Sequence, residues 1–363
     1  MIGIAQIINP ALLRIILLRV IEVMAAFLVV LFAILVVQKL AIERRERHLK
    51  RLRLDYLRRL TPPYSVLPPP HTDIEFEAMG VALADRIRTG TSHERRELQQ
   101  IVRRFAVDTF YERRARGRSW TRRIGAMEAL ASFALPESRP FVIARLQREK
   151  DQRVLSKAVV ALSLVAGALA DLELVTDMLL TLGSVSSKFN EFVYTNCIRS
   201  LRTADHEGDY VQALKSAKAD EGMPWPLKRD MIEAAGKAGL AAARGIIASF
   251  YRYSGDALMR VTCLRALGNL EGLGQIMNEA LMDDDWRVRA VAVRYGFQGG
   301  ADAMPLVKRA LRDENYYVRL NAGVTMMKFG ANGFQALCEE AEGPDPFARE
   351  IAYYAMNAVP ADA

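Results

Sequence analysis

Three stretches near the C-terminal end carry one pattern at one period: DDDWRVRAVAVRYG (283–296), DENYYVRLNAGVTM (313–326) and PDPFAREIAYYAM (344–356). Arg289, Arg319 and Arg349 follow one another at intervals of 30, and three residues after each stands an alanine: Ala292, Ala322 and Ala352. Toward the N-terminus, Arg260 and Arg229 continue the series at spacings of 29 and 31. Weaker copies lie at 119–133, 151–167 and 187–201, which makes about eight. Each copy follows a second amphipathic stretch, such as GADAMPLVKRAL (300–311). One short helix pair cannot bury its apolar face alone, but stacked pairs can, so a period near 30 demands a row of packed helix pairs. The alanine after each Arg is expected to let neighbouring helices approach. Only 8% of residues are aromatic while Ala, Leu, Arg and Glu abound, which also favours helix over sheet.

A second feature precedes the repeats. Residues 17–37 read LLRVIEVMAAFLVVLFAILVV, with Arg19 and Glu22 as the charged residues. At about 1.5 Å per residue such a run covers roughly 30 Å, the thickness of a bilayer's hydrocarbon core. A soluble core helix would show a polar face, and none follows Glu22. A cleaved signal peptide would end in a small-x-small site, but the run passes into QKLAIERRERHLKRL. The expectation is an uncleaved single-pass anchor. Nine Lys/Arg between Lys39 and Arg59 then put residues 1–16 outside and the remainder in the cytoplasm by the positive-inside rule. Arg19 and Glu22 share a helix face; they pair with each other near the outer interface or contact another transmembrane helix.

The net charge of +8 is unevenly spread. Residues 38–60, expected as a basic juxtamembrane helix, have a net charge of +6; residues 85–123 have +7; residues 124–363 have −3. Between the first two lies TPPYSVLPPPH (61–71), five prolines in eleven residues, which breaks a helix and reads as a linker before an array over 72–363. The stretch from Arg86 to Arg123 reads as an amphipathic helix with a basic face. Its Arg103, Arg104, Arg113, Arg114, Arg116 and Arg118 are candidates for contact with anionic lipid headgroups, or with an acidic partner at the membrane.

The motif running from Asp285 through Val288 and Arg289 to Ala292 resembles HEAT repeats of the short bacterial type, often grouped with phycobilin-lyase-like HEAT proteins. The resemblance covers about 92–358. It implies an all-α chain: an α-solenoid of about eight HEAT-like helix pairs preceded by one transmembrane helix. It also implies that Asp285, Arg289, Arg319 and Arg349 make inter-repeat polar contacts, and that Trp286, Tyr316 and Phe347 pack between repeats.

Catalytic chemistry has little to draw on. Deoxyhypusine hydroxylases, built on similar repeats, use four His-Glu pairs for two irons; this chain has two, His93-Glu94 and His206-Glu207, more than a hundred residues apart. No HExxH, GxSxG or glycine-rich phosphate loop occurs. Cys197, Cys263 and Cys338 lack metal-ligand spacing and read as buried, reduced thiols. A net-acidic distal array argues against nucleic acid. The expectation is therefore a binding module with no catalytic residue, cofactor or metal, holding a protein at the cytoplasmic face of a bacterial inner membrane. Single-span HEAT proteins of this kind resemble accessory subunits of membrane machines such as polysaccharide-synthesising glycosyltransferases. Arg265, Arg294, Lys328 and Tyr354 are the expected outward, partner-binding residues of the second helices. The alternative is an enzyme with a small-molecule or cofactor pocket inside the solenoid, lyase-like or hydroxylase-like.

Overall fold

The computed structural model describes residues 10–61, 67–183, 186–270 and 272–358. Every regular element among them is helical. The chain divides into two compact units, Met1–Tyr111 and Glu112–Ala363.

The first unit is built on α1 (Pro10–Arg59), one uninterrupted helix that carries both the apolar run and the basic segment. From Leu17 it is apolar and long enough to cross a bilayer, and its side chains there are exposed. Arg19 donates to Glu22 at 2.9 Å. Of the segment 1–16, residues 1–9 lie outside the described residues.

Two more helices follow, α2 (Asp73–Thr89) and α3 (Ser92–Arg104). Each starts on a capping box, Thr72 with Glu75 and Thr91 with Glu94, which satisfies two orphan amides at each start. Arg45 pairs with Glu77 and Arg53 with Asp85, both across 32 residues. A constant offset means that α1 and α2 run in the same direction. By that register Asp73 lies beside Ala41, about 6 Å along the axis from Val37, where the apolar run ends. Of the Pro-rich segment 61–71, residues 62–66 lie outside the described residues.

The next helix, α4 (Val107–Ala115), carries Phe110 onto the ring of Phe76, 5.0 Å away, and the Tyr111 hydroxyl onto the Glu77 carbonyl at 3.3 Å. Gly80 leaves the space for that tyrosine, since a Cβ there would sit 2.3 Å from its ring. Because α3 starts where α2 ends, packs along α2, and is followed by a helix that brings Phe110 onto Phe76, it runs back toward the apolar end of α1. The Arg86–Arg123 stretch is thus not one helix. It is cut by Gly90–Thr91, by Ala106 with its positive φ of 51°, and by Gly117.

The second unit repeats a pair. The second helix of each copy is α5 (Trp120–Phe133), α7 (Gln152–Ser163), α9 (Ser187–Thr203), α11 (Trp225–Lys237), α13 (Ala257–Asn269), α15 (Trp286–Arg294), α17 (Tyr316–Met327) and α19 (Pro346–Ala358). Between them come α6 (Arg139–Leu146), α8 (Leu169–Leu182), α10 (Glu207–Ala219), α12 (Arg244–Tyr253), α14 (Ile276–Leu281), α16 (Met304–Ala310) and α18 (Gly330–Ala341). Each second helix packs on the next, α5 on α7 through to α17 on α19, and the intervening helices cover one side of that layer.

The recurring Asp or Asn sets where these helices begin. Asp151, Asp256, Asp285 and Asn315 each accept the amide two residues on, at 2.9–3.0 Å. Val288, Ala292, Val318, Ala322 and Ala352 are fully buried, as the helix phase requires. The closest approaches come from glycine rather than alanine: a Cβ on Gly236 would lie 2.5 Å from Ala266, and one on Gly268 2.4 Å from the Tyr295 ring.

Candidate partner-binding surface

The repeated arginine is structural, and the structure shows how. Arg123, Arg260, Arg289, Arg319 and Arg349 each turn one terminal nitrogen onto the carbonyls six and five residues earlier, at 2.7–3.3 Å. That closes the loop before its own helix and satisfies two backbone acceptors. Three of the five then reach forward to an acid two residues before the next helix's cap: Arg123 to Glu149, Arg260 to Asp283 and Arg289 to Asp313. The same carboxylates accept the cap residue's amide.

This corrects two expectations. The acid that links repeats is Asp283 or Asp313, not Asp285, whose carboxyl the Arg287 guanidinium of its own repeat holds down at about 2. The true member of the series in α11 is not Arg229 but Lys228, four residues after the cap and buried, donating to the Asp220 carbonyl at 2.6 Å. In α9 the same place falls to Asn190, which donates to Asp230 at 2.8 Å; burial pushes the Asp230 carboxyl upward. Trp286, Tyr316 and Phe347 line an exposed edge, and two of them make contacts between repeats there: Trp286 stacks on Tyr317 at 5.3 Å, and Arg319 lies over the Phe347 ring at 4.5 Å.

A second helix with neighbours on two sides and a cover behind has one face left for solvent. Arg265, Arg294, Lys328 and Tyr354 are all exposed. The structure brings only two of them together. Arg265 and Arg294 line one cleft of about 230 Å³ between α11, α13 and α15, with Glu233, Lys237, Asn269 and Tyr295. Lys328 lies in a separate hollow beside Phe297 and Phe329, and Tyr354 is on α19. Lys237 is held by Glu191 at 2.7 Å and Glu233 at 3.3 Å. Glu233, Lys237, Asn269 and Tyr295 were not singled out in the sequence. The available signal was their register: Glu233, Arg265 and Arg294 stand nine residues after their caps, and Lys237 and Asn269 thirteen.

The six basic candidates divide between the units. Arg103 and Arg104 end α3, Arg113 and Arg114 lie on α4, and Arg116 and Arg118 are in the turn before α5. Arg104 lies over the Phe105 ring and Arg116 over Phe141. The two His-Glu pairs fall in different units, and among the described residues no three His, Cys, Asp or Glu side chains group as metal ligands. Cys197 and Cys263 are buried, and burial pushes their thiols well up; Cys338 is exposed, contrary to expectation.

No protein-family model and no curated protein matches the sequence. Among solved structures, an engineered protein is similar at 13% identity over 83% of this chain and 88% of that one, with a TM-score of 0.35. Human deoxyhypusine hydroxylase in complex with glycerol is similar at 19% identity over 78% of this chain and 96% of that one, with a TM-score of 0.22. At these scores neither lends this chain an activity.

Proposed function

We propose that this chain is a membrane-tethered scaffold: a HEAT-like solenoid held by α1 at the cytoplasmic face of a bacterial inner membrane, where it binds a protein of a membrane complex. The observation that carries this reading is the unbroken packing of second helices from α5 to α19. It leaves one extended solvent face, the kind of surface that repeat arrays use for protein contacts. The exposed apolar run of α1 supports the tether, and the basic residues after it support the orientation. A phosphatase fusion after residue 60 should then be inactive in the periplasmic assay; strong activity would reverse the topology.

The test of function is affinity isolation of the full-length chain from detergent-solubilised membranes. A stoichiometric protein should accompany it. A tightly retained metal or small molecule, with no protein, would favour the enzyme alternative.

A lipid contact has one observation in its favour: the return of α3 toward the apolar end of α1, which carries Arg103 and Arg104 back with it. In nanodiscs containing phosphatidylglycerol, a fluorophore at residue 104 should be quenched by headgroup-labelled lipid. Arg103→Gln with Arg104→Gln should weaken the quenching, whereas Arg95→Gln with Arg96→Gln, at the other end of α3, should not. Equal responses would remove the contact.

A further inference from the structure

The residues after 123 have a net charge of −3, so this part of the chain does not attract anions in general. The cleft between α11, α13 and α15 is a local exception. On its α13 and α15 side stand Arg265 and Arg294, both exposed, and no described acid pairs with either. On its α11 side the one cation, Lys237, is already neutralised by Glu191 and Glu233. The charge of the cleft is therefore polarised across its width. The same cleft is lined by an amide, Asn269, and by the Tyr295 ring, which Gly268 admits by having no side chain of its own.

We propose that this cleft binds an acidic segment of a polypeptide, one carboxylate of which sits between Arg265 and Arg294. The proposal rests on the scaffold reading and deepens it by giving the chemistry of the partner. Guanidinium groups match carboxylates in geometry, with two parallel N–H donors for two oxygens. A cleft of about 230 Å³ is smaller than the usual 300–1,000 Å³ of a small-molecule site and suits a single side chain inserted from outside. Glu233 on the opposite wall opposes a continuous polyanion, so separated carboxylates fit and a nucleic-acid backbone does not.

The experiment uses the full-length chain in nanodiscs and a fluorescent twelve-residue peptide in which glutamates alternate with serines. Anisotropy should report binding that falls at least tenfold when glutamine replaces glutamate. Arg265→Gln with Arg294→Gln should cause a loss of the same size, while Arg309→Gln, on α16 in the other layer, should not. Circular dichroism should be unchanged in all variants, because the replaced side chains are exposed. Equal binding by the double variant, equal binding of the glutamine peptide, or stronger displacement by a DNA oligonucleotide than by excess unlabelled peptide would each overturn the proposal. The two readings fail separately. A stoichiometric membrane partner that still accompanies the Arg265→Gln, Arg294→Gln chain upholds the scaffold and overturns the acidic cleft; absence of any partner from the wild-type chain overturns the scaffold.

Discussion

Arg289 and Arg319 occupy the same place in successive repeats, yet their surroundings differ. Both turn one nitrogen onto the two carbonyls of their own loop. Arg289 also bonds Asp313 at 2.8 and 3.0 Å and Glu314 at 3.0 Å. For Arg319 the corresponding place is Gly343, so no carboxylate meets it; its Nε is buried without a partner and its guanidinium lies over Phe347. The constant function of the repeat arginine is thus to close its own loop. The ion pair between repeats is added only where an acid stands two residues before the next cap. Near the end of the array an aromatic ring takes its place.

The comparison breaks most readily in the core that both copies share. Val288→Asp would bury a charge with no partner and should destabilise the chain by about 3–5 kcal/mol in urea unfolding followed by circular dichroism. A loss as small as that of an exposed residue would mean that the helix phase is wrong.

Next in size is the contrast itself. Arg289→Met should cost about 2–4 kcal/mol, since it leaves Asp313 partly buried without its cation. Arg319→Met should cost about 1–2 kcal/mol, the value of its loop hydrogen bonds alone. Equal costs would show that the forward pair adds nothing.

Glu149 tests the same device by pH. Burial alone raises its carboxyl, but hydrogen bonds from Arg145, the Asp151 amide and Arg123 outweigh that and hold it down at about 2. A carboxylate depressed in the folded state stabilises above its unfolded value, about 4.3. That contribution is lost as the pH falls from there toward 2. Glu149→Gln should therefore destabilise by about 1–2 kcal/mol at neutral pH, and its difference from wild type should shrink as the pH falls from about 4 through about 2. A pH-independent difference would assign the effect to packing.

Smaller still, Gly343→Asp should supply Arg319 with the acid that its predecessors have. A gain of up to about 1 kcal/mol is expected, and only while Arg319 is present, as a double-mutant cycle would read. Arg294→Ala, on the solvent face, should change stability by no more than about 0.5 kcal/mol.

The repeat was legible because the residues that build it are local. Val288 and Ala292 lie about one helical turn apart, so the buried face could be read from spacing alone, and the structure agrees at both; spacing did not reveal that Asp285 caps its helix. Errors came where the motif degenerates. Between Lys228 and Arg229 the sequence offers two adjacent cations, and only the cap at Pro224 shows that Lys228 keeps the register. The single basic helix expected over 86–123 failed for a related reason: a run of arginines masks the breaks at Gly90, Ala106 and Gly117.

Periodicity defines how a helix faces relative to itself, so period, apolar span and the exposure of Arg265 and Arg294 are all properties of the sequence. What lies opposite each face is decided by packing. Asp313 reaches Arg289 across 24 residues, and Arg45 reaches Glu77 across 32, because of where intervening turns end and how closely helices approach. The same holds for the cleft. Gly236 and Gly268 admit their neighbours at contact distance, and that approach draws Arg265, Arg294 and Tyr295 around one volume. A glycine in a sequence shows that space can be given up, whereas only the neighbouring helix in the folded chain determines which side chain takes it.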